Sequence, residues 1–444
     1  MRTQNTNANE ALEHGPLEQQ RLRLSSFGEK FAGDAGIVGL MEDLGEALRE
    51  NPEMIFMGGG NPAYITEVEV AATEALQHIL ADEIQRHELM GVYQSPQGHL
   101  GLLDDLASLL QNEFGWPLTA DNITLSNGSQ AAFFTLFNML AGDCQDSQRK
   151  RIHLPLVPEY LGYADVGLSE DFFSATAPHI ALLDDQQFKY EVDFPALEQR
   201  LAQDKDIAAL CVSRPTNPTG NVLTDAEIER LDRLAGQYEI PLIIDGAYGL
   251  PFPNIVFSEA KPFWSENTIL ILSLSKLGLP GMRTGIMIAQ PALIKAFVNA
   301  NTILNLAGSN TGPAIAQQLI KTQQLLPLAN AAVKPYYLAQ VERVVELMGQ
   351  CFKGIPYRIH KPEGAIFLWL WFDGLPIDSQ ALYQRLKARG VLVVPGHHFF
   401  PGLDQAWPHR QACIRVSYAQ PMEKIIQGIH IMADILRDIY QGQG

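Results

Sequence analysis

The 444-residue chain has four cysteines, Cys144, Cys211, Cys351 and Cys413, with no C-x-x-C pair and no close Cys/His cluster among them. A disulfide framework and a structural zinc site are therefore not expected, and a reducing, cytoplasmic setting suits the chain. His397 and His398 stand side by side but have no third ligand at a useful spacing, so no metal is expected. Basic residues are in short supply. The 32 Lys and Arg face 50 Asp and Glu, for a net charge of −18 spread along the chain. Nucleic acid and anionic membrane both call for basic faces, so neither is an expected partner. Long apolar runs are missing too: the longest, Ala365 to Phe372, falls far short of the ~20 residues of a membrane-spanning helix and reads as a core strand. No G-x-G-x-x-G turn links a strand to a helix, which argues against a dinucleotide-binding dehydrogenase. The polar opening, MRTQNTNANEALEHG, lacks the apolar segment of a signal peptide, and residues 1–24 are expected to be a flexible extension.

What is present is a chain long enough for two domains and one stretch with unusual chemistry. Ser273-Leu-Ser275-Lys276-Leu-Gly-Leu-Pro-Gly-Met-Arg283-Thr-Gly285 follows the buried strand read over 268–272. A lysine directly off such a strand is poorly solvated, which lowers its pKa and frees a neutral, nucleophilic amine. Two serine hydroxyls and the planar cation of Arg283 are groups that hold a phosphate. The stretch thus proposes a phosphorylated carbonyl cofactor carried as a Schiff base on Lys276. Alone it is equally compatible with a solvated lysine before a Gly/Pro loop.

The rest of the chain supplies companions. In Asn122-Ile-Thr-Leu-Ser-Asn-Gly128-Ser129-Gln130 a short strand turns into a helix running to Leu140. The free N–H groups and positive end of that helix, with the Ser129 hydroxyl beside Gly128, make a second phosphate site, although a plain helix cap would look similar. A strand over 153–158 leads to Pro158-Glu-Tyr160-Leu-Gly-Tyr163. A strand over 206–212 ends in Ser213-Arg-Pro-Thr-Asn217-Pro-Thr-Gly220, and an apolar strand over 241–245 ends at Asp245, with Tyr248 three residues on. Helices are read at 37–50, 66–90, 100–114, 225–237, 313–349 with a break at Pro335, near 379–389 and from Glu423; a charged link is read over 146–151. Strands alternate with helices, and the polar residues gather at the strands' C-terminal ends. This is the pattern of an α/β parallel sheet with its ligand in the crevice outside those ends. Arg415, on a late alternating strand, can hold a carboxylate in a two-pronged grip.

Together these residues meet the needs of pyridoxal phosphate chemistry: Lys276 to carry the aldehyde, Asp245 to keep the pyridine nitrogen protonated, Tyr248 and Asn217 for the ring hydroxyl, and Gly128, Ser129, Gln130, Ser273, Ser275 and Arg283 for the phosphate. Arg415 is left for the substrate α-carboxylate, and the released Lys276 amine for moving the Cα proton. NGSQ (127–130), PEY (158–160), RPTNPTG (214–220), DGAYG (245–249), SLSKLGLPGMRTG (273–285) and Arg415 occur in the order of the fold-type I PLP-dependent aminotransferases of classes I and II. From about residue 30 to its end the chain resembles that family; Gly246 departs from the Asn of the usual D-N-A-Y-G.

The resemblance implies a large PLP domain, 61–324, with a mostly parallel sheet between helices, and a smaller α+β domain from 25–60 and 325–444. It implies a homodimer, Tyr160 stacked on the pyridine ring, Tyr93 reaching the cofactor phosphate of the neighbouring subunit, and Gly60 beside the substrate carboxylate. Further stretches, among them FMGGGNPA (56–63), HKPEGAIFLWLWF (360–372) and LYQRLKARGVLVVPGHHFFPGLD (382–404), imply amino-acid and 2-oxo-acid substrates. The reaction implied is L-valine plus pyruvate giving 3-methyl-2-oxobutanoate plus L-alanine. A β-lyase or an aminotransferase of other specificity on the same fold stays open. A ligand-sensing regulator would need a DNA-binding domain ahead of the enzyme-like region, where only a short polar stretch is read.

Overall fold

The computed structural model describes residues 23–32, 36–145 and 148–442. The extension expected over 1–24 lies almost wholly outside them. Residues 1–35 form one unit, whose described part, 23–32, holds the helix Ser26–Ala32; residues 36–444 form the other, which carries everything below.

Its central sheet runs, edge to edge, Ile123–Ser126, Gly285–Ile288, Thr268–Ser273, Leu242–Asp245, Ile207–Ser213 and Arg149–Leu154, with Phe173–Ala175 beside the last of these and the short Gly142–Asp143 at the edge. Thr268–Ser273, Leu242–Asp245, Ile207–Ser213, Arg149–Leu154 and Phe173–Ala175 are parallel; Gly285–Ile288 runs against both of its neighbours. The sequences explain the arrangement. TILILS and LIID are buried at every position, as strands covered on both faces must be. The helices Leu100–Phe114, Ser129–Leu140, Asp225–Gln237 and Pro291–Asn305 pack on this sheet.

Register matters more than the fold's outline. Ser273 pairs with Gly285, which pairs with Ser126, so the turn at 126–129, the start of the Lys276 stretch and Arg283 meet at one corner. Asp245 pairs with Ile271 on one side and Ser213 on the other, in the middle of the same edge.

A second, six-stranded sheet runs Val394–Pro395, Cys413–Ser417, Phe367–Phe372, Tyr357–His360, Gln187–Glu191 and His179–Leu182. Its last two strands are a hairpin from the middle of the chain, within the 61–324 stretch, that pairs with Tyr357–His360. A two-stranded parallel ribbon joins Ile55–Phe56 to Val391–Leu392. The Met57 carbonyl also accepts from the Ser417 amide at 2.7 Å, so the glycines of 58–60 are tied to the strand that bears Arg415.

Several element bounds differ from the sequence expectation. The helix expected over 66–90 is two, Thr66–Ala81 and Glu83–Gly91, because Asp82 turns extended and its carboxylate caps the second through Gln85 N at 2.9 Å. The strand expected from His153 begins at Arg149, inside the expected charged link; residues 146–147 of that link lie outside the described residues. Pro335 falls where the π-helical stretch Leu328–Val333 passes into Lys334–Cys351, so the helix changes its hydrogen-bond pattern there and runs on, and the interruption of the expected 313–349 helix lies at 322–324.

Candidate active site

The strand ends open into a cleft of about 540 Å3. Lys276 enters it from a single 3-10 turn, Ser275–Leu277, directly after the strand Thr268–Ser273. Its Nζ donates to the Gly60 carbonyl at 2.6 Å and lies 5.4 Å from the centre of the Tyr248 ring. Burial, and next the positive charge of Arg415, lower its pKa to about 8. A sizeable share of the amine is therefore neutral near physiological pH, as a nucleophile or proton acceptor must be.

At the 126–129 corner, Gly128 caps the helix Ser129–Leu140 with φ +89 and no side-chain hydrogen bond, leaving the first N–H groups of the helix to a ligand. A Cβ on Gly128 would fall 2.1 Å from Arg283 Nη2, so glycine is what lets the guanidinium close over the helix end. Arg283 itself sits in the left-handed region, φ 44, and makes only long bonds of 3.4 Å to the Pro280 and Asn127 carbonyls. Backbone held in an unfavoured conformation around a weakly satisfied cation suits an anion clamp. The Gln130 side chain is partly engaged elsewhere: its Nε2 donates to the Gly162 carbonyl at 3.0 Å, which leaves one N–H of the amide and the backbone N–H for an anion. Ser273 Oγ accepts from Ser275 N at 3.1 Å.

In the middle of the edge, Asp245 is buried, and its carboxylate accepts from the Tyr163 hydroxyl at 2.6 Å and the Ala247 amide at 2.9 Å. Burial raises its pKa and these two bonds oppose the rise. Tyr160 lines the cleft with its ring edge against Tyr163, centroids 5.3 Å apart. A side chain at Gly162 would collide with that ring at 2.4 Å.

Across the cleft, Arg415 is buried between the Phe367 ring, 4.1 Å away, and the Phe399 ring, 5.0 Å away. Its Nη1 donates to Asn217 Oδ1 and its Nη2 to the Gly58 carbonyl, both at 2.8 Å; its Nε has no protein partner. Burial lowers its pKa only to about 10, so it stays charged. The rest of the wall is largely apolar, with Met41 and Leu44 of the helix Gly36–Glu50, Phe56, Phe133 and Leu161.

The structure brings together Gly60, Ser129, Gln130, Tyr160, Asn217, Asp245, Tyr248, Ser273, Ser275, Lys276, Arg283 and Arg415 around this cleft, with Gly128 behind Arg283. It does not bring in Tyr93, which is 81% exposed and outside the lining. Sequence reasoning missed Tyr163, Phe367, Phe399 and the apolar residues of 41–56. Only Tyr163 left a signal, as the second tyrosine of the P-E-Y-L-G-Y run.

This cleft, at the C-terminal edge of a mainly parallel sheet, matches a known lineage: the chain belongs to the family aminotransferase class I and II, whose model matches residues 52–429. It is 49% identical over 416 residues to the valine–pyruvate aminotransferase of Escherichia coli strain K12, an alignment covering 93% of this chain and 98% of that one. The crystal structure of valine–pyruvate aminotransferase from Salmonella typhimurium LT2 superposes with a TM-score of 0.83 at 47% identity, covering 91% of this chain and all of the other. More distant members diverge in name. The aromatic-amino-acid aminotransferase 1 of Thermococcus litoralis is 25% identical over 92% of this chain and 95% of its own length.

The family's cofactor is pyridoxal 5′-phosphate, and the residues fit it. An uncapped helix end under an arginine suits the phosphate. A buried carboxylate suits the pyridine nitrogen, and an amine of lowered pKa suits the aldehyde.

Proposed function

We propose that this enzyme transfers the amino group of L-valine to pyruvate, giving 3-methyl-2-oxobutanoate and L-alanine, in a ping-pong cycle. One observation carries the substrate pair: 49% identity, over nearly the full length of both chains, to an enzyme named for valine and pyruvate. The cleft agrees with it. Lys276, Arg283 and Arg415 are the Lys and Arg residues of its lining, and each has a task in the cycle, while Met41, Leu44 and Phe56 offer an aliphatic side chain an apolar wall.

Pyridoxal phosphate, held by Lys276, supplies a carbonyl that takes up the amino group and a ring that spreads the electron pair left when the Cα–H bond breaks. The chain's residues do the rest. The helix end at Ser129 and Gln130, with Ser273, Ser275 and Arg283, holds the phosphate. Asp245, fixed by Tyr163, keeps a proton on the pyridine nitrogen. Tyr160 packs on the ring, and Tyr248 and Asn217 serve its hydroxyl. Arg415 grips the substrate α-carboxylate next to the Gly58–Gly60 backbone. Lys276 Nζ would take the Cα proton and hand it to the former carbonyl carbon of the cofactor; its pKa of about 8 allows both near neutrality.

The same reading makes the chain a cytoplasmic homodimer, divided into a 61–324 domain and a smaller one from 25–60 and 325–444, in which exposed Tyr93 completes the neighbour's phosphate site. Exposed apolar Ile84, Met90 and Val92 near Tyr93 support a covered surface there. No helix among the described residues is long and apolar enough to cross a membrane, and all four cysteines are unpaired.

The test is spectral. Adding L-valine to the purified enzyme switches the cofactor absorbance from one form to the other, pyruvate restores it, and alanine accumulates; Lys276→Ala abolishes the cycle. Failure with valine, alongside good turnover of aspartate or an aromatic amino acid, overturns the substrate assignment.

A further inference from the structure

One buried carboxyl has no part in the chemistry above. Glu159 is 1% exposed, beside Tyr160 in the turn that follows the strand Arg149–Leu154. Its Oε1 accepts from the Ser213 amide at 2.7 Å, and its Oε2 from the Ser213 hydroxyl at 2.5 Å and the Tyr160 amide at 3.2 Å. Its own amide donates to the Phe399 carbonyl at 2.8 Å. Ser213 is itself buried and pairs in register with Asp245.

An acid this deep costs free energy unless its bonds return it. Burial and the nearby Asp245 charge push Glu159 up to about 8 against those three hydrogen bonds. A serine–glutamine pair or an apolar residue would fill the space more cheaply, so the question is what the carboxyl holds in place. It joins two segments. The first carries Tyr160. The second runs from Ser213 to Asn217, the residue that accepts from Arg415. The backbone amide of Glu159, separately from its carboxyl, holds the Phe399 segment, whose ring lies 5.0 Å from the Arg415 guanidinium.

We propose that Glu159 is a positioning residue for substrate binding: its carboxyl pins Ser213 to the Tyr160 segment, so sets Asn217 against Arg415, and fixes the direction in which the guanidinium meets the substrate carboxylate. It touches neither substrate nor cofactor. The inference rests on the aminotransferase reading of the cleft, and on Arg415 as the carboxylate clamp.

Three variants test it: Glu159→Ala, Glu159→Gln and Ser213→Ala. Glutamine keeps an acceptor for the Ser213 amide and can donate to the Ser213 hydroxyl. Each is loaded with pyridoxal phosphate, the bound cofactor is quantified by absorbance, and KM and kcat are measured for the amino donor and acceptor that the wild-type enzyme uses. Glu159→Ala raises KM for both substrates tenfold or more, with kcat down less than threefold and cofactor content near wild type. Ser213→Ala gives the same split at about threefold. Glu159→Gln stays within threefold of wild type in KM. Unchanged KM in Glu159→Ala overturns the proposal, as does a loss in all three that follows cofactor content rather than KM. Should Glu159→Ala not fold, Ser213→Ala and Glu159→Gln decide alone: a KM rise in the serine variant and none in the glutamine variant uphold it, and any other pattern overturns it. A wild-type enzyme that refuses valine and pyruvate overturns the substrate pair only, since the comparison runs equally with another amino donor.

Discussion

Tyr163 and Asp245 are joined through the phenol hydroxyl at 2.6 Å, and the tyrosine is wedged between the rings of Phe133 and Phe137, with centroids 5.1 and 5.3 Å away. The carboxylate proposed to serve the cofactor ring is thus bonded to a side chain packed between aromatic neighbours. Tyr163→Phe keeps the packing and removes the bond. That bond opposes the burial-driven rise of the Asp245 pKa, so without it the pKa climbs further and Asp245 is ionised only at higher pH. The acid limb of the kcat–pH profile is expected to move to higher pH, with the alkaline side little changed.

Arg415, the proposed grip on the substrate carboxylate, also depresses the Lys276 pKa. Arg415→Gln is expected to raise KM for amino and oxo acids by roughly a hundredfold, the equivalent of about 3 kcal/mol for a lost charge-assisted grip. It also removes one of the charges that hold Lys276 at about 8, so the rise of activity with pH shifts toward alkali. Steady-state kinetics across pH read both effects from one variant.

Gly128→Ala puts a methyl group where Arg283 Nη2 now lies and forces an L side chain to φ +89. Strain of that kind costs about 1–2 kcal/mol before the collision is counted. Titration of the apoenzyme with pyridoxal phosphate is expected to give at least a tenfold weaker affinity, while KM at saturating cofactor changes far less. Unaltered cofactor affinity would show that the corner does not hold the phosphate.

The protein is expected to be acid-labile for a reason remote from the cleft. His153 and His360 are fully buried, and burial lowers the pKa of each to about 3. The unfolded chain takes up these protons near pH 6.5, the folded one only near 3, so stability falls as pH drops through that window. Each histidine removes up to about 1.4 kcal/mol per pH unit. Melting temperatures should fall steeply from pH 6.5 to 4.5, and His153→Gln, which can still bond Ser174 and Thr176, should flatten the slope.

Much of this was written in the strands. Apolar runs that end in Asp245, Ser213 and Ser273 announce a parallel sheet and place their last residues at its carboxyl edge before any coordinates exist. What the sequence could not tell was register and partnership. That Ser126, Gly285 and Ser273 align into one corner depends on hydrogen-bonded neighbours far apart in the chain. The diversion of the Gln130 side chain to Gly162 depends on a loop more than 30 residues away. The hairpin at 179–191 went unread because its pairing partner, Tyr357–His360, lies beyond the whole central sheet. Nothing in P-E-Y says that the carboxyl of Glu159 is buried.

That late-closing second sheet sets a timetable for biosynthesis. The strand bearing Arg415 pairs with Phe367–Phe372, and that sheet continues to a hairpin made more than 200 residues earlier. A chain still on the ribosome can lay down the phosphate corner and the lysine strand. It has no means of gripping a carboxylate until nearly its last segment emerges. Released fragments that end before Cys413 would accordingly lack Arg415 and the strand that carries it.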